Sequence, residues 1–367
     1  MGRAAIGALR QLSSGRWQAR VTYHGHQVAI GTFATRREAA RAVARAQSAT
    51  AIGAFADPTA GRERLASFAE SWWLTRSGHR YSTRVRDRLV LDHHVLPALG
   101  DRPLREIERH EVQAWVSGLS ATLAPSTVQR TYTILAQLLG AAADAGLIAA
   151  SPATRVHLPR VQPYEARFLN LDELEALADA IDPRYKAMVE VMAWATLRLG
   201  EAAGLRRVDL DLRGASLRVA NSVVQVGHRI VEGPPKTSAG RRTMTLPSSA
   251  VADLAFHLAC FAGSVYVFPG PSGERLHPED WRARFWRPAV SRAGLSPLRP
   301  HDLKHTGVAL LVAAGVDPLE IARRAGHTNV AFTLSRYGHL FPEVDKATAA
   351  KLDGLRSSPP GTAAAQS

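Results

Sequence analysis

The sequence is poor in several residue types, and each shortage excludes something. Cysteine occurs once in 367 residues, at Cys260. A single thiol rules out an intramolecular disulfide framework and a thiolate-rich zinc or iron–sulfur centre, and it suits a reducing compartment. Lysine is scarce too: five lysines stand against 41 arginines, so lysine at any one position is not the chain's default cation. The longest apolar stretches fall well short of the ~20 residues that a membrane-spanning helix needs. Near the start, Arg3 and Arg10 flank a weak, interrupted apolar region, which does not fit a secretory signal, so a cytoplasmic, nucleoid-associated location is expected. Acidic residues are outnumbered, 32 against 46 basic ones, for a net charge of +14. That imbalance favours a polyanionic partner.

What is present fits an ordinary globular chain, 46% hydrophobic and 21% charged, long enough for two or three domains with sizeable cores. The basic excess is uneven. Residues 1–55 hold eight arginines and one acid. There Trp17, Ala19, Val21 and Tyr23 alternate with Arg16, Gln18, Arg20 and Thr22, the pattern of a strand with one buried face. A turn at His24-Gly25-His26, short strands through Val28, Ile30 and Phe33, and a helix capped by Thr35 and carrying Arg36, Arg37, Arg41 and Arg45 complete a three-stranded sheet plus helix. Its polar strand face suits a DNA major groove, which admits a β-ribbon; a solvated charged face is the other reading.

Punctuation at Asp57-Pro58 and Gly61 marks a linker. Residues 62–160 then follow helical periodicity over 65–74, 82–95, 109–119 and 126–145, predicting a four-helix bundle. Prolines 152, 159 and 163, with Arg155 and Arg160, read as a second linker able to cross a duplex backbone. Residues 165–356 form a third domain: helices over 171–181 and 184–194, short strands between 216 and 246, then helices again, one over 301–314 and one from Asp317-Pro318 to Gly326. Residues 357–367, with paired prolines and small residues, read as a disordered tail. The fold class is therefore multidomain, mainly α with small β-sheets, closing in an α+β domain.

Four pieces of this third domain stand in a telling order: Thr196-Leu197-Arg198-Leu199-Gly200-Glu201, then Lys236-Thr237 in a hairpin turn, then His301-Asp302-Leu303-Lys304-His305, and last Gly326-His327 with Tyr337-Gly338-His339. Together they resemble the tyrosine recombinase (phage integrase) family. The resemblance covers nearly the whole chain, with residues 1–55 similar to the arm-type DNA-binding domain of lambda-type integrases, 62–160 to their core-binding domain and 165–356 to their catalytic domain. The run from His94 to Asp101 is typical of actinobacterial phage integrases, and the arginine and alanine bias fits a high-GC host.

Cutting DNA without a metal needs a nucleophile, cations around the transition-state phosphorane and an acid for the departing 5′ oxygen. The resemblance implies that Tyr337 attacks the scissile phosphate to form a 3′-phosphotyrosyl bond and that His301 is the base or proton partner. It further implies that Arg198 and Lys304 clamp the non-bridging oxygens, that His327 donates a further hydrogen bond and that Lys236 is the general acid. Glu201 is expected to support Arg198 from behind, against the alternative of a surface carboxylate. His305 and His339 stay open between a site role and a packed ring. The arginines at 16, 20, 36, 37, 41, 155, 160, 241 and 242 are the candidate DNA contacts. No metal and no nucleotide cofactor is implied, since no P-loop, dinucleotide fingerprint or zinc-like ligand spacing occurs.

The resemblance also implies a homotetramer on double-stranded core and arm attachment sites, Holliday-junction exchange, a directionality factor, a host DNA-bending protein, and a segment at 340–355 that docks on a neighbour. Two departures stand out. Thr196 occupies a position where the family has glycine or a small residue, and Lys304 stands where the family's His-x-x-Arg has arginine. Lysine lacks the planar fork that grips phosphate bidentately. Two other readings therefore remain: a catalytically impaired DNA-binding protein, or a type IB topoisomerase using similar residues.

Overall fold

Alternation in the first fifty residues builds a two-layer module. In the computed structural model, which describes residues 7–23, 25–52, 61–162, 164–227, 229–261 and 263–341, strands β1 (Gly7–Gln11), β2 (Trp17–Tyr23) and β3 (His26–Phe33) form an antiparallel sheet in that order. Ala19 and Val21 of β2 are fully buried and pack on Ala39, Val43 and Ala46 of helix α1 (Arg36–Ala51). Gln18, opposite Arg10, and Arg20 are left on the other face. Thr35 caps α1 in a capping box with Glu38, which satisfies two orphan N–H groups at the helix start. The short strands expected at 28–33 are one strand with a bulge opposite Ala19 and Arg20. His24, nearly all of the expected linker at 53–61, most of the docking segment at 340–355 and the tail lie outside the described residues.

The chain divides into two compact units, Met1–Pro163 and Tyr164–Ser367. Beyond α1, the first unit holds α2 (Leu65–Thr75), α3 (Tyr81–Val90), a π turn leading into α4 (Leu96–Leu99), α5 (Arg109–Ser120) and α6 (Pro125–Asp144). Leu65, Leu91, Val112, Leu135 and Leu138 fill the bundle core, essentially without exposure; each contributes roughly 1.5–3 kcal/mol by burial. Residues 151–162, expected as a free linker, lie along the bundle. Gln113 bonds both the N–H and the carbonyl of His157, Gln129 bonds the Pro159 carbonyl, and Tyr132 donates to the Ala153 carbonyl at 2.7 Å. Arg155 and Arg160 remain exposed there.

In the second unit, Asn170 caps α7 (Leu171–Ala180), and α8 (Lys186–Trp194) runs through the core with Met188, Val189, Val191 and Met192 fully buried. The short α9 (Leu199–Ala203) follows, then strands β4 (Leu210–Asp211), β5 (Ser216–Val219), β6 (Ser222–Val226), β7 (Arg229–Gly233) and β8 (Arg242–Thr245). These make one sheet in the order β4-β5-β8 and a separate β6-β7 hairpin. Helices α10 (Ser248–Cys260), α11 (Pro278–Trp281), α12 (Arg287–Arg292), α13 (Pro300–Ala313), α14 (Pro318–Ala325) and α15 (Val330–Tyr337) complete the unit. Among the described residues no helix is long and apolar enough to cross a membrane.

Candidate active site

The site begins at a strained turn. After α8 the chain reverses at Thr196, a fully buried residue held at φ +47°, in the left-handed region where a side chain costs roughly 1–2 kcal/mol. Its hydroxyl donates to the Arg324 carbonyl at 2.9 Å. Two residues on, Arg198 is the N-cap of α9, and Glu201 closes the cap by accepting from the Arg198 N–H at 3.1 Å and its guanidinium at 2.7 Å. Glu201 is buried, and the Oε2 that accepts the Arg198 N–H also pairs with Arg242 at 3.0 Å. Burial opposes its charge, but Arg242, Lys304 and Arg198 outweigh burial and hold the carboxyl at about 2. It sits behind Arg198 as an anion between cations, not on the surface.

Arg242 departs from expectation. It was expected among the DNA-facing arginines; its side chain is buried, donating to the carbonyls of Arg324 (2.5 Å), Gly240 (3.0 Å) and Thr196 (3.3 Å) as well as to Glu201. The cause is strand parity: in β8, Arg242 and Met244 point inward while Thr243 and Thr245 point out. Arg241, one residue earlier, is exposed.

Helix α13 carries three chemistry-bearing side chains, with His301 and His305 one turn apart and therefore on one face. Their rings meet edge to face at 4.8 Å. His305 is buried, and its Nδ1 is hydrogen-bonded to the Tyr337 hydroxyl at 2.6 Å. Tyr337 is 1% exposed, lodged among Val308, Val312, Ile321, Ala325 and Phe168. Burial pushes its phenol up to about 12, while burial and the neighbouring His301 bring His305 down to about 4, so at neutral pH the proton stays on the phenol. His327 stacks over Tyr337 at 6.2 Å and lies 2.7 Å from the Thr333 hydroxyl. Burial, then Lys304 and Arg198, lower it to about 4.

Lys304, expected at the phosphate, is 2% exposed. Its ammonium donates to the main-chain carbonyls of Thr196, at 3.2 Å, and Ala325, and burial pushes its pKa well below the lysine range. Lys236 is exposed. It sits not in a hairpin but in the connection between β7 and β8, which belong to different sheets. That connection closes on the histidine turn at Gly326, where a Cβ would come 3.0 Å from the Ala239 carbonyl oxygen.

A cavity of about 610 Å³ opens beside Arg198 and His301, lined also by Arg282, Arg287 and Arg299. Sequence reasoning missed these three, because isolated arginines in a chain with 41 of them carry no signal. Arg282 pairs with Glu279 and Arg299 with Asp302. The direct partner of Tyr337, His305, had been left open; its i+4 spacing from His301 was the available signal. Among the described residues no group of three or more His, Cys, Asp or Glu is arranged to hold a metal.

The chain matches the Phage integrase family over residues 167–343 and the Phage integrase central domain over residues 65–158. It is 32% identical to the putative prophage phiRv2 integrase of Mycobacterium tuberculosis across 96% of both chains. It is 29% identical to the integrase of Mycobacterium phage FRAT1 across 68% of this chain and 74% of that one. In structure it resembles the Tn1549 transposon integrase solved with circular intermediate DNA (TM-score 0.67, 18% identity, 80% of this chain and 99% of that chain). It also resembles a lambda integrase dimer bound to a COC′ core site (TM-score 0.61, 15% identity, 94% and 99%). The chain belongs to the phage integrase family, the site-specific recombinases of the tyrosine class. Its partner is DNA.

Proposed function

We propose that this recombinase integrates or excises a phage or mobile element through a 3′-phosphotyrosyl intermediate on Tyr337. Arg198 grips the non-bridging oxygens of the scissile phosphate, and His327 donates a further hydrogen bond. His301 handles the proton beside His305, and Lys236 protonates the departing 5′ oxygen. The phosphotyrosyl bond conserves the phosphodiester energy, so religation needs no nucleotide. The observation that carries this reading is the convergence of Arg198, His301, and the His327–Tyr337 pair, three separate stretches of sequence, around one turn of α13. A phenol held near 12 is a poor nucleophile at pH 7. Cations at the phosphate and a partner for the proton must therefore act together, each lost donor costing about 3–4 kcal/mol of barrier.

In this reading residues 1–55 bind arm-type sites, 62–160 clasp core sites and 165–356 cleave. Four protomers assemble on two DNA partners and exchange strands through a Holliday junction, with a directionality factor and a host bending protein setting the outcome. The separate apolar clusters of the sheet module and the bundle support the division between the first two.

The test is a nicked suicide substrate built from the element–chromosome junction. The chain should become covalently attached to it, and Tyr337→Phe should abolish the adduct while still shifting the DNA. An adduct that persists in Tyr337→Phe would sink the nucleophile assignment. Relaxation of plasmids lacking any junction sequence would instead mark a topoisomerase.

A further inference from the structure

We propose that Lys304 is a positioning residue rather than a phosphate clamp, and that lysine is the residue that fits because Arg242 already supplies the guanidinium at this place. The proposal rests on the cleavage reading above.

The argument starts from what the ammonium touches. Lys304 donates to the carbonyls of Thr196 and Ala325, each two residues before a site residue, Arg198 in one case and His327 in the other. Arg242 shares the Thr196 carbonyl and reaches Arg324 and Gly240 as well. Gly240 closes the connection that carries Lys236. Two buried cations therefore tie together the three turns that present Arg198, Lys236 and His327, and Glu201 supplies the counter-charge between them.

Space decides which cation stands at 304. The Thr196 methyl packs toward Gly307 on α13, where a Cβ would come 3.0 Å from it, and the turn is already pinned at φ +47°. Arg242 Nη2 lies 3.3 Å from the Thr196 oxygen, so a guanidinium at 304 would bring a second planar fork against the first in a dry site. Overpacking of that kind forces backbone shifts, and a displacement near 1 Å at a site residue is enough for about 100-fold in rate. The compact ammonium reaches both carbonyls without displacing Arg242. Thr196 and Lys304, the two departures from the family pattern, are thus in direct contact and form one arrangement.

The experiment measures adduct formation by the full chain on two suicide substrates, one with an ordinary scissile phosphate and one with a neutral methylphosphonate. A clamp neutralises phosphate charge, so its loss is offset on the neutral substrate; the loss of a residue that also holds the His327 and Lys236 turns is offset only in the part that acts through Arg198. Lys304→Met should slow cleavage about 10- to 100-fold on the ordinary substrate and stay slower than the parent on the methylphosphonate, with DNA affinity little changed. Arg198→Ala should recover on the methylphosphonate. Lys304→Arg should be slower than the parent chain. Rescue of Lys304→Met by the methylphosphonate as complete as that of Arg198→Ala, or a Lys304→Arg as fast as the parent or faster, would overturn the proposal and leave the recombinase reading standing. No adduct from the parent chain or from Lys304→Arg would overturn both.

Discussion

A histidine that is neutral in the fold and ordinary in the unfolded chain makes stability depend on pH in one direction. His305 is brought from 6.5 to about 4 by burial and by His301, so between those values the unfolded chain binds the extra proton. Stability is fully present above about pH 6.5 and is lost as pH falls toward 4, by up to about 3 kcal/mol for this ring. Its neighbours share in that: His301, Arg336 and Arg299 push the value down, and Asp302 pulls it up. Urea midpoints measured between pH 4 and 7 should fall on acidification, and His305→Gln should flatten the fall; a variant profile as steep as the parent's would count against it. Little of this was readable in advance. The spacing of His301 and His305 was visible in the sequence, but the bond to Tyr337 joins residues 32 apart through tertiary packing. Arg242 was more accessible to reasoning than it looked. Met244 and Leu246 are apolar at every second position after it, and strand parity alone turns Arg242 inward and Arg241 outward.

At the scale of elements, the parts with local chemistry were legible. Thr35, Asn170 and Asp317 each cap the helix that follows, and Gly326 ends α14 in the left-handed conformation. Three bundle helices fell within a residue of their periodic patterns, while the one expected over 82–95 runs as α3 to Val90, a π turn to Val95 and α4 to Leu99. The lysine turn did not, because whether two strands flanking a turn pair with each other depends on partners elsewhere: β7 pairs with β6 and β8 with β5. Two glycines separate local from tertiary constraint. Gly315 has φ +73° and open space around its Cβ direction, whereas Gly326, at φ +63°, faces the Ala239 carbonyl oxygen and Arg242, both at 3.0 Å. Gly315→Ala should cost about 1 kcal/mol with cleavage unchanged. Gly326→Ala should cost more and slow cleavage as well, since it pushes the His327 turn away from the connection bearing Lys236. Equal effects of the two on adduct formation would mean that this contact has no part in holding the site.

Across the whole molecule, charge and architecture diverge in a way that assigns work to faces. Residues 1–55 contribute half of the net +14, yet their candidate contacts are split between two layers. Arg20 lies on the open face of the sheet, where Arg10, not among those candidates, joins it, whereas Arg36, Arg37 and Arg41 belong to α1, packed on the opposite face. A straight duplex cannot lie flat on both sides of so thin a module, and the open sheet face is the one shaped for a groove. Replacing Arg10 and Arg20 by alanine in the full chain should therefore abolish protection of arm-type DNA while leaving core-site cleavage intact. It should also make the salt dependence of binding shallower by about 2, one counterion for each lost phosphate contact. Replacing Arg37 and Arg41 should change the footprint far less. The reverse ranking would place the duplex against α1, and the sheet would then be the support for a helix that reads DNA.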